Sequence, residues 1–117
     1  MAPKPIPSQL EVKTEKTPTQ TTVHCAGNVT SDTTQSLKAA VKPLFSESKI
    51  VVLDLTNVSY MDSSGLGTIV GLYVSARAAD SQLKLINLNQ RLKELFSITR
   101  LGQVMAEGRD PDELRAP

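Results

Sequence analysis

The chain has 117 residues, with 13 Lys plus Arg against 12 Asp plus Glu and a formal net charge of +1. That length supplies one core and not two, and the charge balance excludes electrostatically driven binding to nucleic acid or to an anionic membrane. A single cysteine, Cys25, excludes an internal disulfide, no Cys/His spacing fits a metal, and no apolar run reaches membrane-spanning length.

Residues 1–9 carry Pro3, Pro5 and Pro7 and lack the apolar segment of a signal peptide, so they read as a flexible leader on a cytoplasmic chain. From 10 to 15, apolar and charged residues alternate, the pattern of a strand with one wet face. Pro18 turns the chain, and 21–26 alternates again, with Val23 and Cys25 on one side and Thr22 and His24 on the other; the two runs predict a hairpin. Cys25 reads as a small core hydrophobe and His24 as a solvated strand residue. Gly27-Asn28 ends the second strand, and Ser31 and Asp32 offer caps for a helix whose inner side holds Leu37, Ala40, Val41 and Leu44. Pro43 stops that helix near Val41.

Residues 45–49 connect to Ile50-Val51-Val52-Leu53-Asp54-Leu55, an apolar run short enough for a strand buried on both faces. Residues 56–61 bridge to a second helix, marked by Leu66, Ile69, Val70, Tyr73 and Ala76 at three- and four-residue spacing. After a turn at 79–82 comes a strand at 83–88. Asn89 then caps a helix over 90–98 with Leu92, Leu95 and Phe96 inward, and Gly102 terminates it. Residues 103–105 add a short edge strand before a polar tail at 107–117. The expectation is an α/β domain over 10–106, a mixed sheet of four to five strands with three to four helices mainly on one face, in the order β-β-α-β-α-β-α(-β).

Asp62-Ser63-Ser64-Gly65-Leu66-Gly67 is the stretch on which a function can rest, because a buried strand runs into it and a helix runs out of it. Asp62 is a good N-cap and complements the positive helix end. Gly65 and Gly67 each cost about 1 kcal/mol relative to alanine inside a helix. Two uses offset that cost: close packing on the strand beneath, or a bare backbone that a partner or an anion can approach. A phosphoryl group on Ser63 would bring a charge of about −1.5 to −2 to a helix start, where free amides favour it. Enzyme readings fare worse. Ser63 and Ser64 have no base but His24, Asp62 stands where a nucleophile elbow needs glycine, and Gly65-Leu66-Gly67 lacks the Walker lysine and the third Rossmann glycine. No cofactor is expected.

Val51-Val52-Leu53-Asp54-Leu55 followed by Val58-Ser59-Tyr60-Met61-Asp62-Ser63-Ser64-Gly65-Leu66-Gly67 resembles the signature of STAS domains, specifically the stand-alone bacterial anti-sigma factor antagonists, in register from about Leu10 to Met105. The resemblance implies a STAS-like fold and a switch. In it, Ser63 is phosphorylated by an anti-sigma factor with serine kinase activity, the unmodified form binds that partner, and a protein phosphatase resets the modified one. It also implies a partner surface around Asp62, Ser64, Gly65, Leu66, Gly67 and Tyr60, with Asn28 and Thr30 beside them. The family pattern Gly-Glu-x-Asp is Gly27-Asn28-Val29-Thr30 here, so both carboxylates have become neutral. The alternative is a STAS scaffold or regulatory subunit of a stress-signalling or transporter complex, in which Ser63 only starts a helix. A nucleotide-binding variant comes third.

Overall fold

The computed structural model describes residues 10–108. In it the two alternating runs become strand β1 (Leu10–Lys16) and strand β2 (Thr21–Val29), paired antiparallel from Leu10 opposite Gly27 to Lys16 opposite Thr21. The turn around Pro18 closes through the Thr17 amide, which donates to the Gln20 carbonyl at 2.8 Å. The predicted leader at 1–9 and the tail from 109 on lie outside the described residues.

Strand β3 (Ile50–Met61) is twice as long as its apolar run, because 56–61, expected as a bridge, continues the ladder. It lies parallel to β2 on one side and to β4 (Gln82–Ile86) on the other, so the sheet order is β1-β2-β3-β4. Strand β2 does not stop at Gly27-Asn28 either. Its register against β3 shifts between His24 and Ala26 and again between Gly27 and Asn28, and Gly27 takes φ +122° there. That conformation is open to glycine at little cost, so the irregularity bends the strand instead of ending it. Val29 then returns fully buried beside Met61.

Helix α1 (Thr34–Val41) buries Leu37 and Val41 and turns Gln35, Lys38 and Ala39 to water, the predicted faces. Neither Ser31 nor Asp32 caps it. Thr33 precedes the helix, and its hydroxyl turns back to accept from the Thr30 amide and donate to the Asn28 carbonyl, each at 2.9 Å. The helix stops at Val41 as Pro43 demands, but the chain tightens into a 3-10 segment (Lys42–Ser46) that buries Phe45. Proline sits near the start of that segment, where its missing amide costs little.

Helix α2 (Ser63–Ala78) follows β3, and β4 ends at Ile86 rather than at Leu88, because Asn87 takes φ +63°. Helix α3 (Gln90–Phe96) is capped by Asn89, whose side chain accepts from the Leu92 amide at 2.8 Å. The end of the chain corrects the sequence reading. Gly102 terminates nothing and 103–105 is no strand: both lie in a fourth helix, α4 (Arg100–Ala106), started by the Thr99 hydroxyl accepting from the Gly102 amide at 2.9 Å. A Cβ on Gly102 would stand 2.5 Å from the Phe96 carbonyl oxygen, so glycine there lets α4 turn tightly against the end of α3.

Val23, Cys25, Val51, Leu53, Leu83 and Leu85 give the sheet one apolar face, and Leu37, Ile69, Leu72, Leu92 and Phe96 of the helices join the same cluster. The alternate positions Thr22, His24, Asp54 and Lys84 point the other way and keep contact with water. Phe96 is completely buried where α3 meets α4. Phe96→Ala should therefore cost about 3–5 kcal/mol, read as a lower urea midpoint; an unchanged midpoint would mean that α3 and α4 lie outside the cooperative core.

Candidate functional site

The serine turn is built where two parallel strands end. Met61 closes β3 with its side chain buried, and the Asp62 amide donates to the Val29 carbonyl at 3.2 Å, tying the end of β3 to the end of β2. Asp62 is extended at φ −101° and ψ −175°, and its Oδ1 accepts from the Gly65 amide at 3.0 Å, the predicted N-cap. Ser63 and Ser64 are then the first two helical residues, both exposed.

The two glycines divide the two uses between them. Gly65 is buried, and a Cβ on it would lie 2.5 Å from both the Met61 Cγ and the Val29 carbonyl oxygen. It serves packing: the helix start rests directly on the strand ends. Gly67 is exposed, with nothing within 4 Å of a Cβ placed on it, so its backbone is bare.

Tyr60 stands opposite Asn28 in the β2–β3 register and is 45% exposed, one strand position before buried Met61. Asn28, Thr30 and Asp62 are half-buried, while Leu66 belongs to the core. The residues singled out from the sequence thus gather at one end of the sheet, with Tyr60, Ser63, Ser64 and Gly67 forming the surface and Gly65 and Leu66 holding it from below. Thr30 is engaged locally: its hydroxyl accepts from the Asp32 amide at 3.3 Å and its carbonyl accepts from the Thr33 and Thr34 amides. Val29, the seat of the helix, escaped the sequence reading because Gly27-Asn28 looked like a strand end.

No general base reaches the serines from the one histidine. His24 is bonded to Asp54 on β3, eight residues before Asp62, which along a strand corresponds to about 25 Å. Burial pushes the Cys25 thiol up to about 12, which leaves it protonated and inert at neutral pH. Among the described residues no group of three or more His, Cys, Asp or Glu is arranged to hold a metal ion. Ser63 and Ser64 leave their side chains open to another molecule at this end of the sheet.

Comparison with known proteins bears on what that molecule is. The model of a family described as the STAS domain matches residues 11–113. A protein named anti-sigma-B factor antagonist from Listeria monocytogenes is 40% identical over 84 residues, which is 71% of this chain and 74% of that protein. Among solved structures, the fold is similar to that of an anti-sigma factor antagonist from Mycobacterium paratuberculosis, with a TM-score of 0.66 and 18% identity over 80% of this chain and 82% of that one. It is also similar to the Bacillus cell fate determinant SpoIIAA in its phosphorylated form, with a TM-score of 0.63 and 19% identity over 79% of this chain and 86% of that one.

The division between the glycines is directly measurable. Gly65→Ala should lower stability by about 1–3 kcal/mol through overpacking against Val29 and Met61, whereas Gly67→Ala should raise it by up to about 1 kcal/mol. Thermal melts of the two variants check this; equal effects would show that Gly65 has no packing role.

Proposed function

The chain belongs to the STAS domain family, and from that premise we propose that it is an anti-sigma factor antagonist whose grip on its partner is set by phosphorylation of Ser63. With Ser63 unmodified, the surface formed by Tyr60, Ser63, Ser64 and Gly67 docks an anti-sigma factor, which then lets go of its sigma factor. The same partner, as a serine kinase, supplies ATP and the base. Ser63 Oγ attacks the terminal phosphorus, the bond to ADP breaks, and the modified protein is released until a phosphatase hydrolyses the ester. The protein contributes no catalysis; it is the substrate and the switch. It works in the cytoplasm, and no helix among its described residues is long and apolar enough to cross a membrane.

The observation that carries this reading is an exposed serine at the first position of a 16-residue helix that rests closely on the ends of two strands. Free amides of the first turn and the helix dipole accommodate a phosphate there, while the Asp62 carboxylate opposes it. Because Gly65 pins the helix start to Val29 and Met61, the added charge has little room to remodel the fold. Its effect falls instead on the docked partner, through bulk, repulsion and the cost of desolvating a dianion. Neutral Asn28 and Thr30 leave this end of the sheet less acidic than the family pattern.

That neutrality also favours a second reading, a constitutive STAS scaffold or regulatory subunit in which Ser63 only begins α2. The two readings separate cleanly. Incubation with the cognate kinase and ATP should place one phosphate on the peptide containing Ser63, and none on Ser63→Ala. Ser63→Asp should weaken partner binding about tenfold or more, on the order of 1.4 kcal/mol, with folding stability changed by no more than about 0.5 kcal/mol. Ser63→Ala and Ser63→Asp binding alike would favour the scaffold.

A further inference from the structure

The helix-free face of the sheet carries a polar chain that runs across its strands. His24, on β2, presents Nδ1 to the Asp54 Oδ2 on β3 at 2.9 Å and Nε2 to the Glu15 Oε1 on β1 at 3.1 Å. Asp54 is itself anchored. Its Oδ1 accepts from the Thr56 amide at 3.1 Å, from the Thr56 hydroxyl, and from the Asn87 amide nitrogen beyond β4 at 3.0 Å. Three consecutive strands and the residue that follows β4 are thereby laced together by side chains, with the imidazole in the chain.

An ionised carboxylate accepts hydrogen bonds and donates none. Both ring nitrogens of His24 face such acceptors, and the imidazolium is the form that donates to both at once. A neutral ring, in either tautomer, turns a lone pair towards one of the carboxylates. Nor does Asp54 readily give up its charge to relieve this, since three donors converge on one of its oxygens and His24 holds the other.

Strand β1 is the element most exposed to the loss of this link. It lies at the sheet edge, only Leu10 and Val12 pack against the core, and Thr14, Glu15 and Lys16 are exposed. Besides the backbone ladder, the second half of β1 is held by two side-chain pairs of comparable exposure, Lys16–Glu47 and Glu15–His24, of which the second depends on the protonation of the ring. We propose that His24 is a pH-sensitive strut: as the imidazolium it fastens edge strand β1 to the centre of the sheet, and on losing its proton it lets the Glu15 end of that strand loosen.

The charges facing the ring agree with this. From β1 come Glu15, Lys13 directly opposite His24, and Glu11 further along; β3 supplies Asp54, β4 supplies Lys84, and β2 adds no other titratable group on this face. Lys13 and Lys84 disfavour the imidazolium but are exposed and screened, whereas the two carboxylates touch it. The bonds to Asp54 and then Glu15 raise the His24 pKa above its ordinary 6.5. For Asp54, burial pushes the carboxyl upward, but the bonds from Thr56, Asn87 and His24 together outweigh it and hold the group well below the usual carboxylate range. A raised histidine contributes stability that is fully present below its unfolded pKa and is lost as pH rises through the folded value. The strut is therefore set on the acid side and released on the alkaline side.

The test is an NMR titration of the full chain with amide exchange followed in parallel. The His24 ring should titrate with a midpoint above 6.5, with both ring nitrogens protonated below it. Protection of the amides at 13–16, corrected for intrinsic exchange, should fall as pH passes that midpoint while the amides of 51–55 keep theirs. Glu15→Gln, at an exposed position that the fold does not need, should move the midpoint down and flatten the pH dependence of protection in β1. A midpoint at or below 6.5, a midpoint unmoved by Glu15→Gln, or protection in β1 that ignores the protonation of His24 would each overturn the proposal.

Discussion

The contact of Gly65 with Val29 and Met61 is the constraint from which the functional end of the molecule follows. Two parallel strands finish side by side, their last side chains turn into the core, and the next helix starts on top of them with no Cβ to hold it away. The Asp62 amide on the Val29 carbonyl and the Asp62 carboxylate on the Gly65 amide brace the same corner from outside. With the corner fixed, the positions of Ser63 and Ser64 are fixed as well. A side chain on such a corner needs no ordering when a partner arrives, which is what the proposed modification of Ser63 requires.

The same geometry keeps the one histidine away from the serine turn. Catalytic serines need a base within hydrogen-bond reach and donors for an oxyanion. This chain has spent its one histidine near the middle of the sheet, between two carboxylates, far from the turn. What remains at the turn is a hydroxyl, a bare stretch of backbone at Gly67, and one exposed aromatic edge at Tyr60.

Much of this was legible in the sequence where one physical signal acted alone. The alternation of β1 and β2, the helix faces of α1 and α2, the stop near Pro43 and the caps at Asp62 and Asn89 each follow from a local rule, and the serine turn was legible for the same reason. The failures share another cause. Gly27-Asn28 looks like a strand end unless one knows that a neighbouring strand requires an irregularity there, and 56–61 has too few apolar residues to signal a strand by itself. Val104 and Met105 were misread because three residues cannot distinguish a period of 2 from one of 3.6; only the Thr99 cap and the tight approach of Gly102 to Phe96 decide it. Thr33 displaced Ser31 and Asp32 because its hydroxyl bridges two backbone groups of the preceding turn. Each of these depends on partners distant in sequence or on backbone geometry, neither of which composition records.

The length of β3 has a consequence for signalling. One strand carries Asp54, against which His24 rests, and ends beside Asp62 and Ser63, with about 25 Å between the two acids. At physiological ionic strength the Debye length is about 8 Å, so a proton gained at His24 and the proposed phosphate on Ser63 would lie some three screening lengths apart. The two proposed charge changes, one beside the middle of β3 and one just past its end, would thus be electrostatically deaf to each other. A cell that altered both would obtain two independent inputs from a domain barely a hundred residues long.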